Sequence, residues 1–202
     1  MKKLECHSNP ILTTLTCNDA FDFTTTHISI NKGLDIISAS GSVLTPSVGD
    51  LITVNLGTGI VFSASNGSFK IVSVAETRLA WSTEQINTNV RNEDDGMANM
   101  NTIKAINPDL SRYPAFKWCA DYGTSWYLPA LNELKVIYEN KSIISRTLSE
   151  FGYSDLLSND DYASSCEDGY YRNVEANFHR TSWSTSSQPK YDEDFIRAIL
   201  AF

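Results

Sequence analysis

The order of patterns along the chain predicts an α+β fold with a mainly antiparallel sheet. Period-two alternation dominates residues 48 to 80 and returns over the last fifty residues, and helical periodicity fills the middle. Composition agrees with a folded chain. Of 202 residues, 42% are hydrophobic and 20% charged, enough to bury a core without metal or disulfide staples.

Residues 1 to 47 are rich in Thr, Ser, Asn and Ile. Ile28-Ser29-Ile30 and Leu34-Asp35-Ile36-Ile37 read as short strands around an Asn31-Lys32-Gly33 turn, with Gly41 and Pro46 as punctuation. This stretch is small for a domain and reads as an N-terminal attachment arm. The domain proper is expected over residues 48–202.

Leu51-Ile52-Thr53-Val54 opens it, followed by Gly57-Thr58-Gly59 and Ile60-Val61-Phe62. Asn66-Gly67 stands between that run and the alternating Phe69 to Val74, a strong hairpin signal. Asn99 to Ile106 is helical and stops at Pro108. Tyr113 to Tyr122 carries Phe116, Cys119 and Ala120 at helical spacing and ends at Gly123. After Trp126-Tyr127-Leu128, Pro129 suits a first helical turn, with Leu131, Leu134, Ile137 and Tyr138 on one stripe. A further helix is expected from Ser142 to Phe151. Strands follow at Tyr162 to Ser165, Val174 to Phe178 and Thr181 to Ser184, and one long strand from Phe195 to Phe202.

The net charge is -8, which argues against a nucleic-acid partner and against docking on an anionic membrane. No apolar run is long enough to span a bilayer. Lys2 and Lys3 imitate the start of a signal peptide, but Glu5, His7, Ser8, Asn9 and Pro10 interrupt any apolar stretch, and Leu4-Glu5-Cys6 makes no lipoprotein signal. The expectation is a cytosolic or processed chain, or one exported without a classical signal, as a virion protein is. The cysteines are Cys6, Cys17, Cys119 and Cys166. None forms a C-x-x-C pair, so zinc ribbons and thioredoxin-like sites are unexpected, and four reduced thiols are the simpler reading.

Five segments carry a resemblance. They are Gly59 to Phe62 with Ile71 to Val74 and Trp81-Ser82-Thr83, then Asp95-Gly96-Met97-Ala98-Asn99-Met100-Asn101-Thr102-Ile103, and Trp126-Tyr127-Leu128-Pro129-Ala130-Leu131-Asn132-Glu133-Leu134. Tyr162-Ala163-Ser164-Ser165-Cys166-Glu167 and Ile196-Arg197-Ala198-Ile199-Leu200-Ala201-Phe202 complete the set. In this order they resemble the C-type-lectin-like domain of bacterial and phage surface proteins. That group includes the C-terminal domain of collagen-like adhesins and the variable proteins of diversity-generating retroelements. The wider fold group also holds formylglycine-generating enzymes. The resemblance spans roughly residues 48 to 202. It implies paired N- and C-terminal strands, two flanking helices and a second small sheet bearing the binding face. The pattern departs at Ala163, where the family often has Trp, and at Cys166, where it often has Thr.

Several groups have a structural and a chemical reading. Glu133 sits in a first helical turn, where a carboxylate favours the positive helix end; a catalytic acid would need a partner the sequence does not supply. Asn92-Glu93-Asp94-Asp95-Gly96 offers oxygens to a hard cation but lacks EF-hand spacing, so a polar turn before a helix is preferred. Asp160-Asp161 also reads as a turn. Gln188-Pro189-Lys190 puts a cation where a calcium-dependent sugar site needs a carboxylate, and Ser182 and Ser184 flank Trp183 without one. Cys119 reads as core, Cys166 is the one plausible reactive thiol, and His179 is its only conceivable base. No Gly-rich phosphate loop is present. No catalytic residue, metal or cofactor is assigned, and the chain is expected not to be an enzyme.

Residues 160 to 194 are the informative stretch. All nine tyrosines follow residue 112, and five follow residue 152. Tyr, Ser, Asn and Trp together give rigid contact area and adaptable hydrogen bonding. Alternation of Arg172, Asn173, Glu175, Asn177 and His179 against Val174, Ala176 and Phe178 puts the polar set on one sheet face. The expected ligand-binding residues are Tyr162, Cys166, Asp168, Tyr170, Tyr171, Asn173, Glu175, Asn177, His179, Trp183 and Tyr191. Residues 153 to 202 hold nine acidic and four basic side chains, so the partner is expected to be neutral or basic at the contact.

The resulting expectation is a non-enzymatic recognition module on a phage virion, as a fibre or decoration protein. Its partners would be a host-surface protein or glycan, and other virion proteins through residues 1–47, in a homo-oligomer for which a trimer is the guess. A structural virion or fimbrial subunit, and a bacterial surface adhesin, are the alternatives. Whether residues 162–191 are diversified by a retroelement is a question for sibling sequences.

Overall fold

The computed structural model describes residues 2–5, 14–17, 26–30, 35–38, 46–54, 57–153, 157 and 160–202. The Asn31-Lys32-Gly33 turn, Cys6, His7 and Gly41 lie outside the described residues. Thirteen strands and four helices are described, an α+β arrangement as expected. Three sheets form, of six, five and two strands.

The six-stranded sheet runs in the order β1-β3-β5-β6-β7-β13, from Lys2–Glu5, Thr26–Ile30, Leu51–Val54, Gly57–Ser65, Ser68–Ser73 and Ile199–Ala201. Its β5 to β13 half is antiparallel, while β1, β3 and β5 run parallel. The β6–β7 hairpin turns at Asn66-Gly67 with φ of 50° and 81°. Both residues need the left-handed region, which Asn and Gly tolerate best. The β3 and β4 strands anticipated around residues 28 to 37 do not pair with each other. β4 (Asp35–Ser38) joins β2 (Thr14–Cys17) in the two-stranded sheet, and β1 and β2 had no sequence forecast.

The five-stranded sheet runs β11-β10-β9-β12-β8, from Thr185–Pro189, Arg172–Asn177, Asp161–Asp168, Glu193–Ile196 and Thr77–Ala80. Its third forecast strand is displaced: β11 begins at Thr185, past the expected Thr181 to Ser184. The long strand expected from Phe195 to Phe202 is two strands in two different sheets. The break falls at Arg197, which is fully buried. Its guanidinium meets Glu76 at 2.9 Å and donates to the Ser73 carbonyl at 2.6 Å. An inward cation with fixed partners interrupts the period-two pattern, and the chain passes from one sheet to the other. β13 then pairs with β7, not with the first strand of the 48–202 segment, because the β5–β6–β7 meander puts β7 at the accessible edge.

Four helices pack on the sheets, against the two implied by the resemblance: α1 (Gly96–Ile106), α2 (Pro114–Tyr122), α3 (Leu131–Glu139) and α4 (Lys141–Glu150). Asp95 caps α1, its carboxylate accepting the Ala98 amide at 2.9 Å. Pro114 supplies the first turn of α2. Their buried faces carry Met100 and Ile103, Phe116 and Cys119, Leu134 and Ile137, and Ile144 and Leu148. Trp81, Tyr113 and Phe116 meet edge to face at 5.0–6.0 Å in the middle of this core. Helix α1 packs on β9, and α3 on β9 and β10, so these helices set the position of the strands that hold the candidate site.

Candidate functional site

Two tight turns end the five-stranded sheet on one side. Gly169, with φ of 74°, turns β9 into β10 and leaves Tyr170 and Tyr171 at the apex. The β11–β12 turn carries Tyr191. The Lys190 amide donates to the Tyr171 carbonyl at 3.0 Å, which joins the two turns. Tyr170 and Tyr171 pack ring against ring at 4.8 Å. Tyr170, Tyr171 and Tyr191 are 50%, 57% and 55% exposed, whereas Tyr113, Tyr127 and Tyr162 are buried. Arg172 lies beside them and bonds to Ser187, and Asp168, Asp192 and Glu193 are exposed around them.

The tip is held from within. Lys190 is wholly buried, and its ammonium donates to Glu167 at 2.7 Å and to the Ile86 carbonyl at 2.7 Å, 4.8 Å from the Trp81 ring. Glu167 also accepts from the Thr88 amide and hydroxyl and from the Asn89 amide. Burial pushes the Glu167 carboxyl up, but the hydrogen bonds from Lys190 and Thr88 outweigh it and hold it below the usual carboxylate range. Burial draws Lys190 below the usual ammonium value. The pair thus ties the segment 86–89, β9 and the tip together, and the cation of Gln188-Pro189-Lys190 faces inward.

A polar row crosses the same sheet. Asp161 Oδ1 lies 2.8 Å from His179 Nδ1 and accepts from Asn177 Nδ2 at 3.1 Å. Asn177 Nδ2 also donates to Ser186 at 2.5 Å, and the Ser186 hydroxyl donates to Glu175 at 2.7 Å. The Ser184 hydroxyl donates to Asn177 Oδ1 at 3.0 Å. Glu175 stands in register between Ala163 and Ser186. Asp194 lies against Glu175 and Asn173, and burial together with the Glu175 charge pushes its carboxyl up to about 8.

These positions correct the sequence-based site. Asn173, Glu175 and Asn177 were expected on a ligand-binding sheet face, and they are 0%, 7% and 6% exposed. Strand β11 pairs alongside them in the sheet, and Ser186 and Ser184 bond to Glu175 and Asn177. Tyr162 is core: it packs on Phe178 and Phe195 and donates to Glu76 at 2.5 Å. Cys166 is buried, its thiol donating to the Asn92 carbonyl at 3.3 Å. Trp183 is half-buried against Tyr138. His179 and Trp183 follow the end of β10, and the tyrosine tip precedes its start, about 20 Å away along six strand residues. The eleven residues therefore divide into an exposed tip, a buried polar row, a far end and the two core residues Tyr162 and Cys166. The acidity of the last fifty residues is partly internal as well, since Glu167, Glu175 and Asp194 are buried. Sequence reading missed Asp194 and Gln188. The usable signal was parity, since Asp194 shares its strand side with the fully buried Ile196.

The remaining candidates resolve locally. Cys166 and His179 do not meet, because His179 bonds to Asp161 at the start of β9, about 16 Å of strand from Cys166. Burial pushes both Cys119 and Cys166 thiols up, which leaves them unreactive. Glu133 is structural. It accepts from Lys70 at 2.6 Å, Tyr127 at 2.9 Å, Ala130 at 2.8 Å and Gly96 at 3.1 Å. In the 92–96 segment, Asn92 caps the turn, Asp95 caps α1 and Asp94 accepts from Asn132. Asp161 is a strand residue, not a turn. Among the described residues, no three His, Cys, Asp or Glu side chains gather as a metal cluster, and no helix is long and apolar enough to cross a membrane.

No family model and no curated protein matches the chain. Among solved structures it is similar to a fimbrial protein from Bacteroides ovatus ATCC 8483, with a TM-score of 0.60 and 13% identity. The likeness covers 85% of this chain and 51% of that one, so this chain spans about half the length of its structural neighbour. What the two share at this identity is a fold.

Proposed function

We propose that the chain is a non-enzymatic recognition module displayed on a surface appendage, and that Tyr170, Tyr171 and Tyr191 are its contact residues. One observation carries this reading: three half-exposed tyrosine rings gather on two joined turns of one sheet end. Rings of this kind give large contact area with little entropy to lose, and the Lys190–Glu167 pair holds their backbone in place. A host-surface protein or glycan is the partner class. Residues 1–47 attach the module to neighbouring subunits, in a homo-oligomer for which a trimer is the first expectation. The fold assignment within this proposal is C-type-lectin-like, on the five segments that resemble that group.

The fimbrial fold of the structural neighbour favours a bacterial surface over a phage virion as the place of display. It also supports a second reading, a fimbrial subunit whose tip packs on other subunits. Adhesion decides whether the tip binds. Protein carrying Tyr170→Ala, Tyr171→Ala and Tyr191→Ala is compared with the unaltered chain for attachment to a panel of bacterial and epithelial cells. A loss of at least about tenfold with an unchanged melting temperature is expected; equal attachment removes the tip from the account.

A further inference from the structure

The β6–β7 ladder is interrupted at one place. Val61 pairs with Ile71 and Ser63 with Lys70, so Phe62 is an extra residue. At such a bulge two residues oppose one, and side chains are re-aimed. Here Phe62 and Ser63 both line one cleft, together with Lys70 across the ladder. The first turns of α3 close it with Asn132 and Val136, and the 92–96 segment adds Asp94. The cleft holds about 170 Å³. A larger cleft of about 310 Å³, at residues 46–48 and 64–69, has no charged side chain among its described lining residues and so offers little to orient a ligand. The polar groups of the smaller cleft have capacity left. Lys70 uses one of its three N–H bonds on Glu133, at 2.6 Å. Asn132 Nδ2 donates to Asp94 Oδ1 at 2.7 Å, while Asp94 Oδ2, Asn132 Oδ1 and the Ser63 hydroxyl have no protein partner among the described residues.

We infer that this cleft is a second binding site, which takes one neutral sugar ring by a pair of adjacent hydroxyls. A hydroxyl both donates and accepts. Two neighbouring hydroxyls therefore match a lining that mixes both functions: the Lys70 ammonium and the Asn132 amide nitrogen donate, and Asp94 Oδ2 and Asn132 Oδ1 accept. Ser63 does either. Phe62 and Val136 supply apolar area for the C–H face of the ring. Charged ligands fit less well. The buried Glu133 carboxylate already neutralises Lys70, so an anion finds no spare cation and is repelled by Asp94. A free amino acid would need the same Lys70 charge for its carboxylate. The site is also preformed. Glu133 accepts from Tyr127, Ala130 and Gly96 as well, and so holds the Lys70 ammonium in place before a ligand arrives. The volume is about half of the roughly 300 Å³ at which drug-sized pockets begin, which sets the limit at one ring. No tip residue takes part, so this site stands apart from the proposed contact tyrosines.

The test is titration of the isotope-labelled full chain, followed by backbone amide NMR shifts. The probes are glucose, galactose, mannose, fucose and N-acetylglucosamine, with glycine as the amino-acid comparison. At least one sugar is expected to saturate with a Kd of about 0.5–10 mM, the range for roughly a dozen well-placed non-hydrogen atoms. The shifts are expected to centre on Phe62, Ser63, Lys70, Asp94 and Asn132. Asp94→Ala weakens that affinity about tenfold, and Ser63→Leu, which fills the cleft, abolishes saturation. Where one of these variants fails to fold, the other is read. The protein with Tyr170→Ala, Tyr171→Ala and Tyr191→Ala binds the sugar unchanged, so the cleft and the tip fail independently. No saturable shift with any of the sugars, shifts centred elsewhere, or saturation by glycine alone overturns the site. So does wild-type affinity in a folded Asp94→Ala or Ser63→Leu protein, or loss of sugar binding in the tip variant.

Discussion

Replacing Lys190 with Met tests whether the buried ion pair organises the tip. Met fills much of the lysine volume, so the change removes charge and hydrogen bonds more than packing. The structure sets the size of the effect. Lys190 and Glu167 side chains are both 0% exposed, so salt and water screen the pair little. Without the ammonium, Glu167 keeps Thr88 and Asn89 as donors but no cation, and the Ile86 carbonyl loses its bond. Breaking one side of such a pair costs about 3–5 kcal/mol. For a chain of this length that is a melting fall of roughly 6–20 °C. Glu167 is held below its ordinary value in the folded state, so its stabilisation is present above the carboxylate range and lost as pH falls through it. The gap between variant and wild type therefore narrows on acidification. Adding Glu167→Gln to Lys190→Met recovers part of the loss, since the second change removes an unpaired buried charge. Thermal and urea unfolding at pH 7 and near pH 4 measure all of this. A loss under about 1 kcal/mol, or a double variant worse than the sum of the singles, would refute the reasoning.

Three further outcomes follow from the same geometry. Gly96→Ala places a methyl against the Leu128 carbonyl and 2.8 Å from the Ala130 amide, so unfolding free energy falls by about 1–3 kcal/mol in denaturant titration. Asp194 keeps its proton in the folded state up to about pH 8, but releases it near the ordinary aspartate value of 3.8 when unfolded. Stability falls between those values by up to about 1.4 kcal/mol per pH unit, and Asp194→Asn flattens that slope in pH-dependent melting curves. Cys119 and Cys166 resist alkylation in native protein at pH 8 and react after unfolding, as peptide mass spectrometry of the two sites reads out.

Local rules made much of the fold legible. Asn66-Gly67 gave the hairpin and Gly123 ended α2, while Leu134, Ile137 and Tyr138 of the forecast stripe are buried on α3, Leu131 is only partly buried, and Pro129 precedes the helix instead of forming its first turn. Where periodicity failed, a buried charge had replaced an apolar residue. Arg197 interrupts a run that otherwise reads as one continuous strand, and only its distant partners Glu76 and Ser73 explain the break. The candidate site suffered the same way. Alternation correctly grouped Asn173, Glu175 and Asn177, but period two says which side chains share a face, not what covers it. Nor does it foretell the side-chain bonds that tie this set together, from Ser186 to Glu175 and from Asn177 to Asp161 and Ser186. The exposed tyrosines were legible because turn residues flank them. Tyr162 looked equivalent by composition, and only its place in the middle of the sheet makes it core.

A tip that meets a partner, as proposed, is not consumed by packing between subunits. Hydroxyl-radical footprinting of the assembled appendage measures this, with the isolated chain as reference. Tyr170, Tyr171 and Tyr191 are expected to be oxidised as fast in the assembly as in the isolated chain, and to be protected when the assembly is bound to cells. Protection of all three already in the unbound assembly would contradict it and assign the tip to subunit packing.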